Sequence, residues 1–293
     1  MSPSFAERLH AAQIASGSLL CVGLDPDPAR LPPDLAARRQ PLYEFNRRIV
    51  DATREVAAAY KPQIAFYSAH AAEAELAASI RYIRERAPHA IVILDAKRGD
   101  IGNTAAAYAQ EAFDRYGADA VTVNPYMGED SVTPFLARPE RGAIVLCRTS
   151  NRGAHDFQDL RCDGVPLYQA VAARVARWNA HRNLMLVVGA TFPREMATLR
   201  AAHPDIPFLV PGIGAQGGDL AATLAAGLDR DRAGLLINSA RAIIYAGGGA
   251  TDAIQAAARA LAHAIQAGRA TPAGHAAETE RAGSTAAPGI AGH

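Results

Sequence analysis

The chain has 293 residues, 49% of them hydrophobic, and its 30 basic and 29 acidic residues leave a net charge of +1. With the arginines scattered, this balance provides no basic face for a nucleic-acid backbone. No apolar run approaches the ~18 residues of a membrane span, and the N-terminal segment lacks the charged and apolar regions of a secretion signal, so a cytoplasmic protein is expected. In chain order, short β-forming apolar runs alternate with helix-forming stretches, the pattern of repeated βα units. Strands are predicted over 18–24, 60–66, 90–96, 118–123, 142–148, 184–189, 207–211 and 233–238. Alanine-rich stretches such as 104–116 and 167–181 suit an outer ring of helices, and a last helix is predicted over 251–267. Eight such units favour a closed (β/α)8 TIM barrel of the α/β class, spanning 1–268, over an open sheet. No Gly-x-Gly-x-x-Gly follows the first strand to mark a dinucleotide fold. The segment 269–293 lacks apolar periodicity and is expected to be a disordered tail.

The basic residues are unevenly divided: 28 are arginine and only two, Lys61 and Lys97, are lysine. A guanidinium is planar and effectively never deprotonated, whereas an ammonium is compact and can give up a proton. Where arginine serves almost everywhere else, these two positions are candidates for chemistry that arginine cannot perform. Lys61 lies in the second predicted strand and Lys97 directly follows the third, and such barrels carry their active sites at the C-terminal ends of their strands.

In the third predicted strand, alternation places Ile91, Ile93, Asp95 and Lys97 on one face. A structural ion pair at the rim is the competing reading of Asp95 and Lys97. Asp100 adds a second carboxylate, with helix capping, shared with Asn103, as its alternative. Asp25 closes the first strand, where it is either a site residue or the opener of a turn before Pro26. Lys61 has a weaker structural alternative, because an unpaired lysine in a barrel strand is costly.

Two segments follow strands seven and eight, the first rich in glycine: Pro211-Gly-Ile-Gly-Ala-Gln216-Gly-Gly-Asp219 and Asn238-Ser-Ala-Arg241. Barrels often hold a phosphate between these two loops, on backbone N–H groups and a helix N-terminus. Gln216 and Arg241 can add side-chain donors. After strand five, Thr149 and Ser150 bring hydroxyls to the mouth, and no acid–base partner at a suitable spacing suggests acyl chemistry. The nine histidines and three cysteines form no cluster with ligand spacing, so no metal is expected, and the cysteines read as reduced thiols; a lysine that serves as cation and proton donor would remove the need for an organic cofactor as well.

Asp95-Ala-Lys97-Arg-Gly-Asp100-Ile101-Gly-Asn-Thr104 resembles the Asp-x-Lys-x-x-Asp-Ile signature of the orotidine 5′-phosphate decarboxylase family, in its second type. The resemblance runs from about Ser18 to Tyr245 and keeps the strand-one Asp, strand-two Lys, strand-three motif, strand-five Ser and both phosphate loops in order. It implies that Lys97 protonates C6 of the pyrimidine, with Asp95 beside the departing CO2, Lys61 completing the charge network and Asp25 binding the ribose. It further implies a homodimer with shared sites, in which Asp100, Ile101 and Thr104 enter the partner's pocket. Ser150, or Thr149 one step away, would contact the base, and Gln216 and Arg241 the phosphate. The nucleotide is then the only small-molecule partner. Two alternatives accompany this reading. One is a Mg2+-dependent sugar-phosphate decarboxylase or aldolase on a related barrel; the other is a phosphate-binding barrel without catalysis.

Overall fold

The computed structural model describes residues 3–213 and 217–270. Its centre is a closed barrel of eight parallel strands. In chain order these are β1 (Leu20–Leu24), β2 (Ala57–Pro62), β3 (Ile91–Arg98), β4 (Ala120–Val123) and β5 (Gly142–Arg148). After a small antiparallel pair, β6 (Arg161–Cys162) and β7 (Val165–Pro166), the barrel resumes with β8 (Leu184–Val188), β9 (Phe208–Val210) and β10 (Leu235–Ser239). The ring closes where β1 pairs with both β2 and β10. The predicted TIM barrel is therefore the fold, and β5 occupies its predicted residues.

Strand alternation sorts the side chains into two cores. Val22, Val92, Val121, Val145, Leu186 and Ile237 face outward beneath the helices. Cys21, Ala59, Ile93, Ala120, Ile144, Met185, Leu209 and Leu236 fill the interior. One step further toward the C-terminal mouth, the inward positions turn polar, with Lys61 on β2, Asp95 on β3, Thr122 on β4 and Asn238 on β10. The sheet thus changes from packed core to chemistry within a single residue layer.

The opposite end is plugged by the helix Phe5–Ser16, which lies outside the predicted elements. Its start is a capping box: Ser4 Oγ accepts the Glu7 N–H, and a Glu7 carboxylate oxygen accepts the Ser4 N–H at 2.7 Å. Phe5, Leu9 and Ala12 insert into the barrel floor, and the ring of Phe5 lies so close to Gly142 that a Cβ there would sit 2.6 Å from it. Burying a side chain of this size stabilises by about 1.5–3 kcal/mol.

At the same end, the fully buried Asp119 takes Arg8, Arg84 (2.6 Å) and Arg141 (3.6 Å) around its carboxylate and accepts the Val92 N–H at 2.8 Å. Asp119→Asn would leave these guanidiniums facing an amide. The expected loss is about 3 kcal/mol, the low end for a broken buried pair because each arginine keeps part of its surface in water. Since the network lies far from the mouth, kcat and KM of the folded variant should match the parent. A melting curve alongside steady-state kinetics checks both statements.

β2 departs most from expectation, occupying Ala57–Pro62 rather than 60–66. Its Ala57-Ala58-Ala59 run has strong helix propensity. Ala58 and Ala59 nevertheless pack in the interior with Phe5 and Leu9, where small side chains fit beside the plug. Beyond Pro62, which cannot donate to a ladder, the chain turns into the helix Ala65–Ser68. The predicted helix over 104–116 begins at Gly102, runs to Gln110 and widens into a π-helical turn over Glu111–Arg115. The last helix extends to Ala270, three residues past its predicted end, so residues 269 and 270 of the expected tail are helical, and the rest of that tail lies outside the described residues. Among the described residues, no helix is long and apolar enough to cross a membrane.

Candidate active site

The mouth holds a cavity of about 430 Å3 bordered by Lys61, Asp95, Lys97, Thr122, Ser150 and Asn238. A second, narrower space adjoins it, bordered by Asp25, Gly212, Ile213, Ser239 and Arg241. Lys61, Asp95, Pro211 and Asn238 border both, so the two form one elongated cleft.

Asp95 is its organising charge. Lys61 Nζ donates to Oδ2 and Lys97 Nζ to Oδ1, each at 2.7 Å, while Thr122 Oγ1 donates to Oδ1 at 2.9 Å. Burial works against ionisation of this carboxyl, but Lys61 and Lys97 outweigh it, by charge and by hydrogen bond, and hold it far below the usual carboxylate range. Burial likewise disfavours the Lys61 ammonium, yet Asp95 and Asp25 hold its pKa above the ordinary lysine value. The two lysines differ in access. The Lys61 side chain is 6% exposed, whereas that of Lys97 is 48% exposed. Lys61 is therefore a fixed charge, while Lys97 can deliver a proton to something in the cleft.

Lys97 also carries unusual backbone geometry, with φ at +47°. A side chain in this left-handed region costs roughly 1–2 kcal/mol. β3 slips its register against β4 between Leu94 and Arg98, and the strict alternation that predicts Lys97 on the Asp95 face breaks there. The ammonium meets Asp95 because the side chain folds back onto it from the bulge.

Asp25 borders the narrow part of the cleft, and its Oδ1 is buried with no hydrogen-bond donor among the described residues. Burial raises its pKa, against the pull of Lys61. The turn-opening role considered for it belongs to Asp27, which accepts the Ala29 N–H at 2.9 Å. Arg241 is exposed at the start of the short helix after β10 and borders the same space. Gln216 lies outside the described residues, but the flanks of its loop are in place: Gly212, at φ +104°, accepts the Gly218 N–H at 3.0 Å.

Asp100, Ile101 and Thr104 stand apart from this cleft on the rim, with Ile101 48% exposed. The capping alternative for Asp100 is not realised: among the described residues its carboxylate accepts only the adjacent Ile101 N–H, at 2.8 Å, and the helix from Gly102 has no side-chain cap.

Thr149 Oγ1 donates to Asn151 and accepts from Gln158 Nε2, both at 2.7 Å, while Gln158 Oε1 accepts the Thr149 N–H at 2.9 Å. The Thr149 hydroxyl is engaged within its own loop, although it borders the cavity as Ser150 does. Gly189 is what lets Ser150 sit there, since a Cβ at 189 would come within 2.8 Å of Ser150 Cα. Below the loop, the guanidinium of the buried Arg148 stacks 3.8 Å from the Phe192 ring centroid and pairs with Asp159 at 3.0 Å.

Thr122, Gln158 and Asn238 are cleft residues that sequence reasoning did not single out. Thr122 had a usable signal, as the one polar residue on the inward face of an otherwise apolar strand. Gln158 had none, because only the fold of its loop brings it back to Thr149.

With this geometry in place, the comparisons with known proteins are decisive. Residues 18–259 match the model of the orotidine 5′-phosphate decarboxylase / HUMPS family. The chain belongs to that family. It is 55% identical over 267 residues to the orotidine 5′-phosphate decarboxylase of Cellvibrio japonicus, covering 90% of this chain and 97% of that protein. The corresponding Bordetella avium protein is 56% identical over 271 residues, covering 91% of this chain and 100% of the relative. Among solved structures, the OMP decarboxylase of Leishmania donovani superposes with a TM-score of 0.79 at 42% identity, over 92% of this chain and 100% of that one.

Proposed function

We propose that the cleft decarboxylates orotidine 5′-monophosphate to uridine 5′-monophosphate without a metal, with Lys97 as the proton donor. The reaction is that of a carboxy-lyase and closes de novo pyrimidine nucleotide synthesis. The observation that carries the mechanism is the Lys61–Asp95–Lys97 chain, in which one carboxylate fixes two ammonium groups that both border the cavity, the first buried and the second half-exposed. Breaking the bond between C6 and the carboxylate leaves its electron pair on C6, with no neighbouring carbonyl to accept it. A preorganised cation stabilises that charge, and the Lys97 N–H proton then forms the new C–H bond; the neutral amine recovers its proton from solvent.

The remaining residues divide the nucleotide among them. Asp25 presents an unpartnered buried oxygen to the ribose hydroxyls, Ser150 faces the base, and Arg241 with the loop of Gln216 takes the phosphate. Asp95 stands beside the departing carboxylate. Both of its oxygens already hold ammonium groups, so a Mg2+ ion there would face two positive charges, which disfavours the metal-dependent alternative. Asp100, Ile101 and Thr104 project from the rim and, in a cytoplasmic homodimer, reach the pocket of the second subunit. The exposed Tyr126 and Met127 support such an apolar contact.

Ultraviolet absorbance of orotidine 5′-monophosphate with the purified protein, with and without excess EDTA, tests this reading, with the solution mass measured alongside. Conversion should be rapid and indifferent to EDTA, by a species of twice the chain mass. Loss of turnover with EDTA would overturn the metal-free mechanism, and full activity in a monomer would remove the shared sites.

A further inference from the structure

Thr122 occupies an unusual chemical position. A hydroxyl has one hydrogen to donate and two lone pairs to accept with, and all three capacities of this one are in use. Oγ1 accepts the N–H groups of Ala96 and Lys97, each at 2.9 Å, and donates to Asp95 Oδ1 at 2.9 Å. The residue is 1% exposed.

The two accepted bonds have a structural cause. Between Leu94 and Arg98, β3 leaves its regular ladder with β4, in which consecutive N–H groups would point to opposite sides of the strand. Here one side-chain oxygen of β4 accepts both the Ala96 and the Lys97 N–H instead. That substitution lets the chain hold Lys97 at φ +47° without stranding buried donors. Because both lone pairs are taken by the backbone, the hydroxyl hydrogen can point only toward Asp95. One oxygen therefore fixes the backbone under the lysine and the carboxylate that receives its ammonium.

We infer that Thr122 is a positioning residue for the decarboxylation, setting where the Lys97 ammonium stands relative to C6. This rests on the proposed role of Lys97 and adds to it: the lysine acts from a strained backbone conformation that β4 holds in place. Asp95 keeps its two lysines if the hydroxyl is lost, so the charge survives and the geometry does not.

Thr122→Val keeps the side-chain shape and removes the oxygen. Its kcat per folded site is expected to fall by roughly 10- to 100-fold, the scale of an ångström-level displacement of a catalytic group, with KM and the affinity for uridine 5′-monophosphate held within about threefold. Thr122→Ser, which retains the oxygen, should recover kcat to within about fivefold of the parent. A purely structural role would lower the melting temperature and the yield of folded protein but leave kcat per site unchanged, and that result for Thr122→Val would overturn the inference. Should the valine variant fail to fold, Thr122→Cys replaces it: kcat must then rank Thr above Ser above Cys, and a cysteine variant as fast as the parent overturns the inference equally. Lys97→Ala measured in parallel keeps the two proposals apart. Retained turnover there removes the acid role itself, whereas a dead Lys97 variant beside a fully active Thr122→Val removes only the positioning role.

Discussion

Lys97→Arg should lower turnover of orotidine 5′-monophosphate by at least about 10^4-fold while uridine 5′-monophosphate still binds. The charge at the position is preserved, so a loss of this size isolates what arginine lacks, a proton that can leave. A guanidinium would keep an ion pair with Asp95 but would hold its protons at any working pH. Its planar fork is also broader than an ammonium and would reach into the space between Asp95 and the base. Product affinity serves as the control, because the phosphate and ribose contacts proposed above fall in the narrow part of the cleft that Asp25 and Arg241 border. Stopped-flow absorbance for turnover and calorimetric titration for binding read the two quantities separately. Turnover within about 100-fold of the parent would take Lys97 out of the acid role, since general acid catalysis alone is worth more than the remaining deficit.

Much of this site is legible in the sequence because its logic is local. The lysine count alone isolates Lys61 and Lys97, and period-two alternation correctly puts Asp95 on the inward face with Ile91 and Ile93. What escapes is set by tertiary context. The Lys97 bulge depends on how β3 meets β4, and alternation cannot register a backbone that turns to positive φ. The three alanines of β2 have helical propensity and become a strand because the barrel needs small interior residues beside Phe5. The N-terminal plug is a different case. Ser4-Phe-Ala-Glu7 spells a capping box ahead of an apolar face, a local signal present in the chain and unused. Asp100 was ambiguous for a physical reason, since a carboxylate ahead of a helix can cap it, point into a cleft or, as here, bond its own neighbour.

Asp95→Asn should have the largest effect on the folded protein itself. The substitution keeps the shape and removes the charge that holds two ammonium groups, one of them buried. Removing one partner of a buried pair costs about 3–5 kcal/mol, because the group left behind stays desolvated. The pH dependence identifies the cause. In the parent, the folded pKa of Asp95 lies below its unfolded value near ~3.9, so its contribution is complete above that pH and fades only as pH falls toward the depressed value. The folded pKa of Lys61 lies above its unfolded value near ~10.4, so its contribution is complete below that pH and fades as pH rises. Together they give a flat plateau of stability across the neutral range. In the variant, burial dominates Lys61, with Asp25 and, more weakly, Cys21 opposing it and Lys97 adding repulsion, and its folded pKa drops below the unfolded one. Relative to the parent, stability should then rise with pH between about 7 and 10, because the folded state sheds a proton that the unfolded chain retains. Urea midpoints taken across this range separate the outcomes. A variant that loses less than about 1 kcal/mol, with no pH slope, would mean that the lysines are solvated well enough to stand without Asp95, and the charge chain would then not be what orders the cleft.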